Sequence, residues 1–193
     1  MSNKPNWYRF GLFILLLPAC SAQPGTSLPL ETSQEDATQS ASLIATILPN
    51  DPPATCPITG PLNVPFVPPS PYPVTPPDRY GRQFWVGTPE LWTMLEGNGT
   101  WNKLPQNGNG YTQKIFWWRQ GYISSAEPNP KLTVTGNRLD AQAPPLKASS
   151  ATNASTDLGD AMLVGVDFPT LGCWEITGQY NDQELSFVVW IAP

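Results

Sequence analysis

Two alternating runs near the C-terminus constrain the fold more than any other stretch. Residues 172–180 read Gly-Cys-Trp-Glu-Ile-Thr-Gly-Gln-Tyr and residues 184–191 read Glu-Leu-Ser-Phe-Val-Val-Trp-Ile, each with the period of two that marks a strand. Trp174, Ile176 and Gly178 share one face of the first run, and Leu185, Phe187, Val189 and Ile191 share one face of the second. Asn181, Asp182 and Gln183 lie between them as turn residues that tolerate positive φ. A loop of two residues (Asn181-Asp182) or of four (Asn181 to Glu184) puts both apolar sets on the same face. A three-residue loop would turn the core residues of the second strand outward. The product is a hairpin with one apolar face, which needs a second sheet to cover it.

Upstream, short candidate strands alternate with Gly- and Pro-rich punctuation: 83–86, 91–95, 114–119, 132–135 and 162–168, with loops expected at 96–101, 104–110 and 149–160. Lys114-Ile115-Phe116-Trp117-Trp118-Arg119 is apolar on both faces, so it is either central or capped by loops. Charged residues make up only 13% of the chain while prolines number 24, a balance that favours short strands and rigid turns over helices. With the final hairpin this gives about seven strands, which predicts an all-β chain whose domain at 80–193 is an antiparallel β-sandwich, immunoglobulin-like in the broad sense. The run Gly-Cys-Trp-Glu-Ile-Thr-Gly resembles the last hairpin of bacterial extracellular immunoglobulin-like modules. The stretch from Trp117-Trp118-Arg119 through Val134-Thr135-Gly136-Asn137-Arg138-Leu139 to the C-terminus resembles a group of uncharacterised exported bacterial proteins. The resemblance brings no known catalytic motif with it.

The N-terminus carries Lys4 and Arg9 and then Phe10-Gly11-Leu12-Phe13-Ile14-Leu15-Leu16-Leu17, too short to span a bilayer and of the length of a signal-peptide core. It runs into Leu17-Pro18-Ala19-Cys20-Ser21, which resembles the bacterial lipobox. That resemblance implies a lipoprotein signal peptide over 1–19 and acylation of Cys20, with two or three acyl chains giving stable attachment to a membrane. An ordinary secretory signal cut near Ala19 is the alternative. Residues 20–55 are largely Ser, Thr, Gln, Ala and Pro and read as a flexible, disordered tether; the patch at 43–48 could be a short helix or nothing. Residues 56–79 continue a run of prolines too dense for a central strand. They read as a stiff strap, with Val64, Phe66, Val67 and Tyr72 packing inward.

After Cys20, two cysteines remain, Cys56 and Cys173. An exported compartment is oxidising, and an even pair there points to a disulfide. Cys173 alternates with Trp174 and so leaves the core face of the hairpin, where a strap crossing the outer face would present Cys56. A buried free Cys173 or an intermolecular bridge through Cys56 are the alternatives. Two cysteines without histidine do not close a zinc shell, so no metal is expected.

The chain has no histidine, which removes the commonest general base. Without Lys4 and Arg9 it retains 8 basic and 15 acidic residues, an acidic balance that argues against nucleic acid as a partner. No phosphate loop, dinucleotide fingerprint or Gly-x-Ser-x-Gly occurs, so no cofactor is expected. Glu175 and Glu184 fall on the final hairpin as solvated strand residues, and Asp157 and Asp160 lack the oxygen spacing of a calcium loop. The feature that could carry binding is the crowd of aromatics, with Trp85, Trp92, Trp101 and Tyr111 as candidate ligand contacts; for most of the tryptophans the favoured reading is that they fill the core of a small sandwich with few leucines and isoleucines, and Trp101, set among Gly, Asn and Thr, is the one expected to be exposed. The leading expectation is a lipid-anchored, extracytoplasmic envelope protein that binds or assembles without catalysing. A carbohydrate- or cell-wall-binding domain is the second expectation, and a hydrolase the third.

Overall fold

The computed structural model describes residues 49–63, 66–77 and 82–193, and these are almost entirely strand and loop. The proposed signal peptide, Cys20, most of the tether and Val64 lie outside the described residues. Eleven strands follow in chain order: β1 (Phe84–Thr88), β2 (Leu91–Leu95), β3 (Thr100–Trp101), β4 (Gln106–Asn107), β5 (Gly110–Trp118), β6 (Thr133–Arg138), β7 (Lys147–Ala148), β8 (Thr152–Asn153), β9 (Met162–Phe168), β10 (Gly172–Tyr180) and β11 (Gln183–Ile191). They form two sheets. The first is antiparallel in the order β1-β2-β5-β9-β7, with β4 beside β5 and β8 beside β9; the second runs β3-β11-β10-β6. All its pairings are antiparallel except that of β3, which runs parallel to β11.

The final hairpin takes the two-residue loop. Trp174 stands opposite Val189, Ile176 opposite Phe187 and Gly178 opposite Leu185, so the apolar sets share the inner face, and Asn181 turns the chain with φ 55°. Gly178 leaves a gap in that face, and the Trp117 indole of the opposing sheet fills it: a Cβ on Gly178 would lie 2.3 Å from Trp117 Cη2. Trp117 also meets Phe187 at a ring-centroid distance of 5.8 Å. The core between the sheets continues through Ile115, Met162, Val164, Val166, Phe168 and Trp174.

Of the four extra strands, β3, β4 and β8 fall where loops are expected, and β7 lies in a stretch with no assigned element. β3, β4, β7 and β8 are two residues long, too short to show any period, and each exists because a longer strand beside it offers main-chain partners. The loop from 149 to 160 thus contains β8, whose Thr152 and Asn153 pair with Leu163 and Met162.

The proline-rich segment packs on both outer faces. Residues 49–60 lie on the second sheet: Thr59 N–H donates to Val188 O at 2.8 Å, Val188 N–H returns a bond to Thr59 Oγ1 at 2.9 Å, and Trp190 Nε1 donates to Pro49 O at 3.2 Å. Residues 66–77 lie on the first sheet, where Phe66 and Tyr72 cover Trp92 at centroid distances of 5.9 and 4.9 Å. Val67, expected inward, is 59% exposed, because Phe66 takes the sheet-facing position.

Candidate functional site

The aromatics come first, because they are the candidate ligand contacts. Trp85, Trp92 and Trp118 occupy the outer face of the first sheet under the strap. Trp85 and Trp118 meet edge to face at 5.1 Å, and Trp85 Nε1 donates to Pro73 O at 3.1 Å. Trp101 is not exposed. It is 3% accessible, lies between the sheets against Phe168 at 6.1 Å, and is held there because β3 pairs with β11 and Ala192 N–H donates to Trp101 O. Tyr111 is half-buried and packs against the same core. The expectation that Trp101 is exposed is therefore corrected, and Trp85 and Trp92 follow the core-filling reading of the tryptophans rather than the ligand-contact one. The exposed large apolar side chains among the described residues are Leu62, Val67, Val74, Ile123 and Leu139, none aromatic.

The cysteines are where the alternation placed them. Cys56 and Cys173 form a disulfide across a sequence separation of 117, on the outer face of the second sheet with Val188, Trp190 and Ile58. Asp140 secures the rear of this cluster: its Oδ1 accepts Cys173 N–H at 3.1 Å and Arg138 Nε at 2.7 Å. Burial pushes the Asp140 carboxyl up, but those hydrogen bonds and the Arg138 charge outweigh it and leave the group below the usual carboxylate range.

The other perturbed carboxylates are also structural. Glu127 is lowered chiefly by the hydrogen bond from the Tyr180 hydroxyl, and Asp160 by the Ser124 hydroxyl and N–H. Asp167 is raised by burial but held low overall by the Asn107, Thr112 and Asn109 side chains. Each is thus stabilised as the anion, whereas a general acid needs its proton held more tightly. Glu175 and Glu184 are exposed on β10 and β11, Glu175 opposite Val188 and Glu184 opposite Gln179.

A cleft of about 320 Å³ lies between β2 and β5, and its origin is a change of sheet. β2 pairs with β5 only at Trp92–Trp118 and Thr93–Trp117. After Leu95 the chain turns through Gly97–Gly99, with Asn98 at φ 55°, and joins the second sheet as β3. Gly99 is required there, since its φ is +84° and a Cβ would lie 2.5 Å from Thr59 O of the strap. The edge of β5 that β2 abandons is closed again only at its start, where β4 pairs with Gly110 and Tyr111.

Three contacts show which groups face the gap. Thr112 N–H donates to Pro105 O at 2.8 Å, Lys114 N–H to Gln113 Oε1 at 2.9 Å, and Thr93 Oγ1 to Phe116 O at 2.7 Å. The even-numbered residues of β5 thus turn their main-chain groups to the cleft, while the other edge of the strand pairs with β9 from Tyr111 to Trp117. The Gln113 amide spans the gap: its Oε1 accepts the Lys114 N–H and its Nε2 donates to Glu96 Oε1 at 3.0 Å. Met94, Phe116 and Trp101 supply apolar walls, and Gln83, Glu96 and Lys114 supply polar ones. Of the candidate binding residues, only Trp101 lines this cleft. Glu96, Gln113 and Lys114 were not foreseen; the sequence signal that could have found them is Gly97-Asn98-Gly99, a left-handed turn directly after a strand.

No family model matches the chain, and no curated protein does. Among solved structures the chain is similar to the "X-ray Crystal Structure of a Putative Lipoprotein from Bacillus anthracis", at 14% identity and a TM-score of 0.32 over 61% of this chain and 84% of that one. So slight a likeness carries no argument about fold or function.

Proposed function

We propose that the chain is a lipid-anchored envelope lipoprotein whose domain is an immunoglobulin-like sandwich that binds rather than catalyses. The observation that carries the proposal is the Cys56–Cys173 disulfide clamping the proline strap to the second sheet. Such a bond suits an oxidising compartment, and it joins the start of the strap, just beyond the candidate lipobox and tether, to the last hairpin. The immunoglobulin-like reading is supported by strand order. In β2-β5-β9-β7 and β3-β11-β10-β6 the successive strands take the places of A-B-E-D and of C-F-G, with the first strand's continuation lying parallel to the last.

The binding reading is supported by lowered carboxylates already committed to structural hydrogen bonds and by a cleft with mixed polar and apolar walls. The glycan alternative loses its platform because Trp101 is buried.

The test is the intact mass of protein extracted from membranes, before and after reduction. The expected result is a chain beginning at Cys20 and carrying a diacylglyceryl group, gaining two hydrogens on reduction. A soluble chain with free thiols would overturn the proposal.

A further inference from the structure

We infer that the open edge of β5 between Thr112 and Phe116 binds a short extended peptide, about three residues long, through its main chain. This rests on the binding reading above and names its ligand class. A strand's N–H and C=O groups point alternately to its two sides, so Thr112, Lys114 and Phe116 address the cleft, as their three contacts show. β4 and β2 close this edge only at its two ends. The stretch from Thr112 to Phe116 spans about 14 Å at 3.4 Å per residue, and because the Thr112 N–H and the Phe116 carbonyl at its ends are already bonded, it leaves room for about three extended residues. The cleft volume of about 320 Å³ is at the small end of ligand sites.

The Gln113 side chain shows what chemistry the gap accepts. A carboxamide has the donor and acceptor of a peptide group, and this one already takes the Lys114 N–H and gives its own N–H to Glu96. It occupies the position of one peptide unit of a missing strand. A bound peptide would take over the Lys114 N–H, pair with the Lys114 carbonyl and the Phe116 N–H, and set its side chains against Met94 and Phe116. The Glu96 carboxylate and Lys114 ammonium on the same cleft suit the amino and carboxylate ends of such a ligand. A sugar would instead need an exposed aromatic face, which the buried Trp101 does not offer.

The test follows backbone amide resonances of the full mature chain in micelles during titration with trialanine, with trialanine N-methylated at residue 2 or at residue 3, and with N-acetylglucosamine. Trialanine should saturate, with the largest shifts at Lys114 and Phe116. Strand pairing uses every second N–H, so one methylated form should bind about tenfold more weakly and the other within about twofold. Gln113→Ala, which removes the stand-in, should bind trialanine several-fold more tightly, whereas Lys114→Pro, which removes the facing N–H, should lose it. No saturation by about 20 mM, far above a millimolar Kd, overturns the inference. So does equal tolerance of both methylations, or shifts at the cleft with N-acetylglucosamine alone. Anchoring is read separately by mass, so either result can fail without the other.

Discussion

Opening the Cys56–Cys173 bond should cost this domain a large share of its stability. The bond closes a loop with a sequence separation of 117, and restricting that loop in the unfolded chain is worth about 4–5 kcal/mol in the chain-entropy treatment. A domain of this size has only about 5–15 kcal/mol in total. Replacing the cysteines would add a cavity effect, because both are buried, so the cleaner comparison is the wild-type protein oxidised and reduced. With a urea slope of about 2 kcal/mol/M, the midpoint should fall by about 2 M on reduction. The reduced unfolded chain is also more expanded, so the slope itself should rise. Fluorescence-monitored urea unfolding with and without reductant measures both, and limited proteolysis under native conditions should cut within 49–77 only after reduction. A midpoint shift below about 0.5 M, with the strap still protected, would refute the reasoning. It would mean that the bonds of Thr59 and Trp190 and the packing of Phe66 and Tyr72 hold the strap unaided.

Two further predictions follow from packing and charge. Gly178→Ala puts a methyl 2.3 Å from Trp117 Cη2 and should destabilise by about 2–3 kcal/mol, with Trp117→Phe in the same chain restoring part of the loss; additive losses in the double-mutant cycle would contradict the contact. With no histidine in the chain, the urea midpoint should be flat from about pH 5 to 8. It should fall as pH drops below about 4, because Asp140, Asp160, Asp167 and Glu127 are all held below their unfolded values and lose that stabilisation on protonation. At the alkaline end Tyr122, pushed up to about 12 by burial and the nearby Glu127 charge, favours the folded state below pH 10 and stops doing so as pH rises towards 12. A midpoint that moves between pH 5 and 7 would show that some other group titrates on unfolding.

What could be read from the sequence were features written in a residue's own neighbourhood. The alternation in 172–180 and 184–191 set the face of every residue of the last hairpin, including the outward Cys173, and left only the choice of loop, which the positive φ of Asn181 decides. The doubly apolar Lys114–Trp118 run correctly signalled cover on both sides: Trp117 faces the opposing sheet and Trp118 the strap side. Trp101 failed for the opposite reason. Its neighbours are loop formers, and its burial comes from a two-residue parallel pairing with Trp190 and Ile191, some ninety positions away in the chain. The cleft was illegible for a related reason, since it is a divergence between two strands whose individual patterns are ordinary.

The strap and the disulfide solve a problem that the sheets create. Most small sandwiches leave their outer faces polar, but here Trp85, Trp92 and Trp118 lie outside the first sheet and Val188 and Trp190 outside the second. A domain without the strap would expose aromatic patches of the kind that drive association. Prolines suit a cover of this kind because their backbone is stiff and loses little entropy on ordering. The same residues lack the N–H groups that would knit a cover into a sheet, so the strap has few main-chain bonds to the strands, among them Thr59 to Val188. A covalent clamp supplies what the missing hydrogen bonds do not. It follows that the covered state is most stable where the bond can form, a condition that the proposed anchoring at Cys20 would meet.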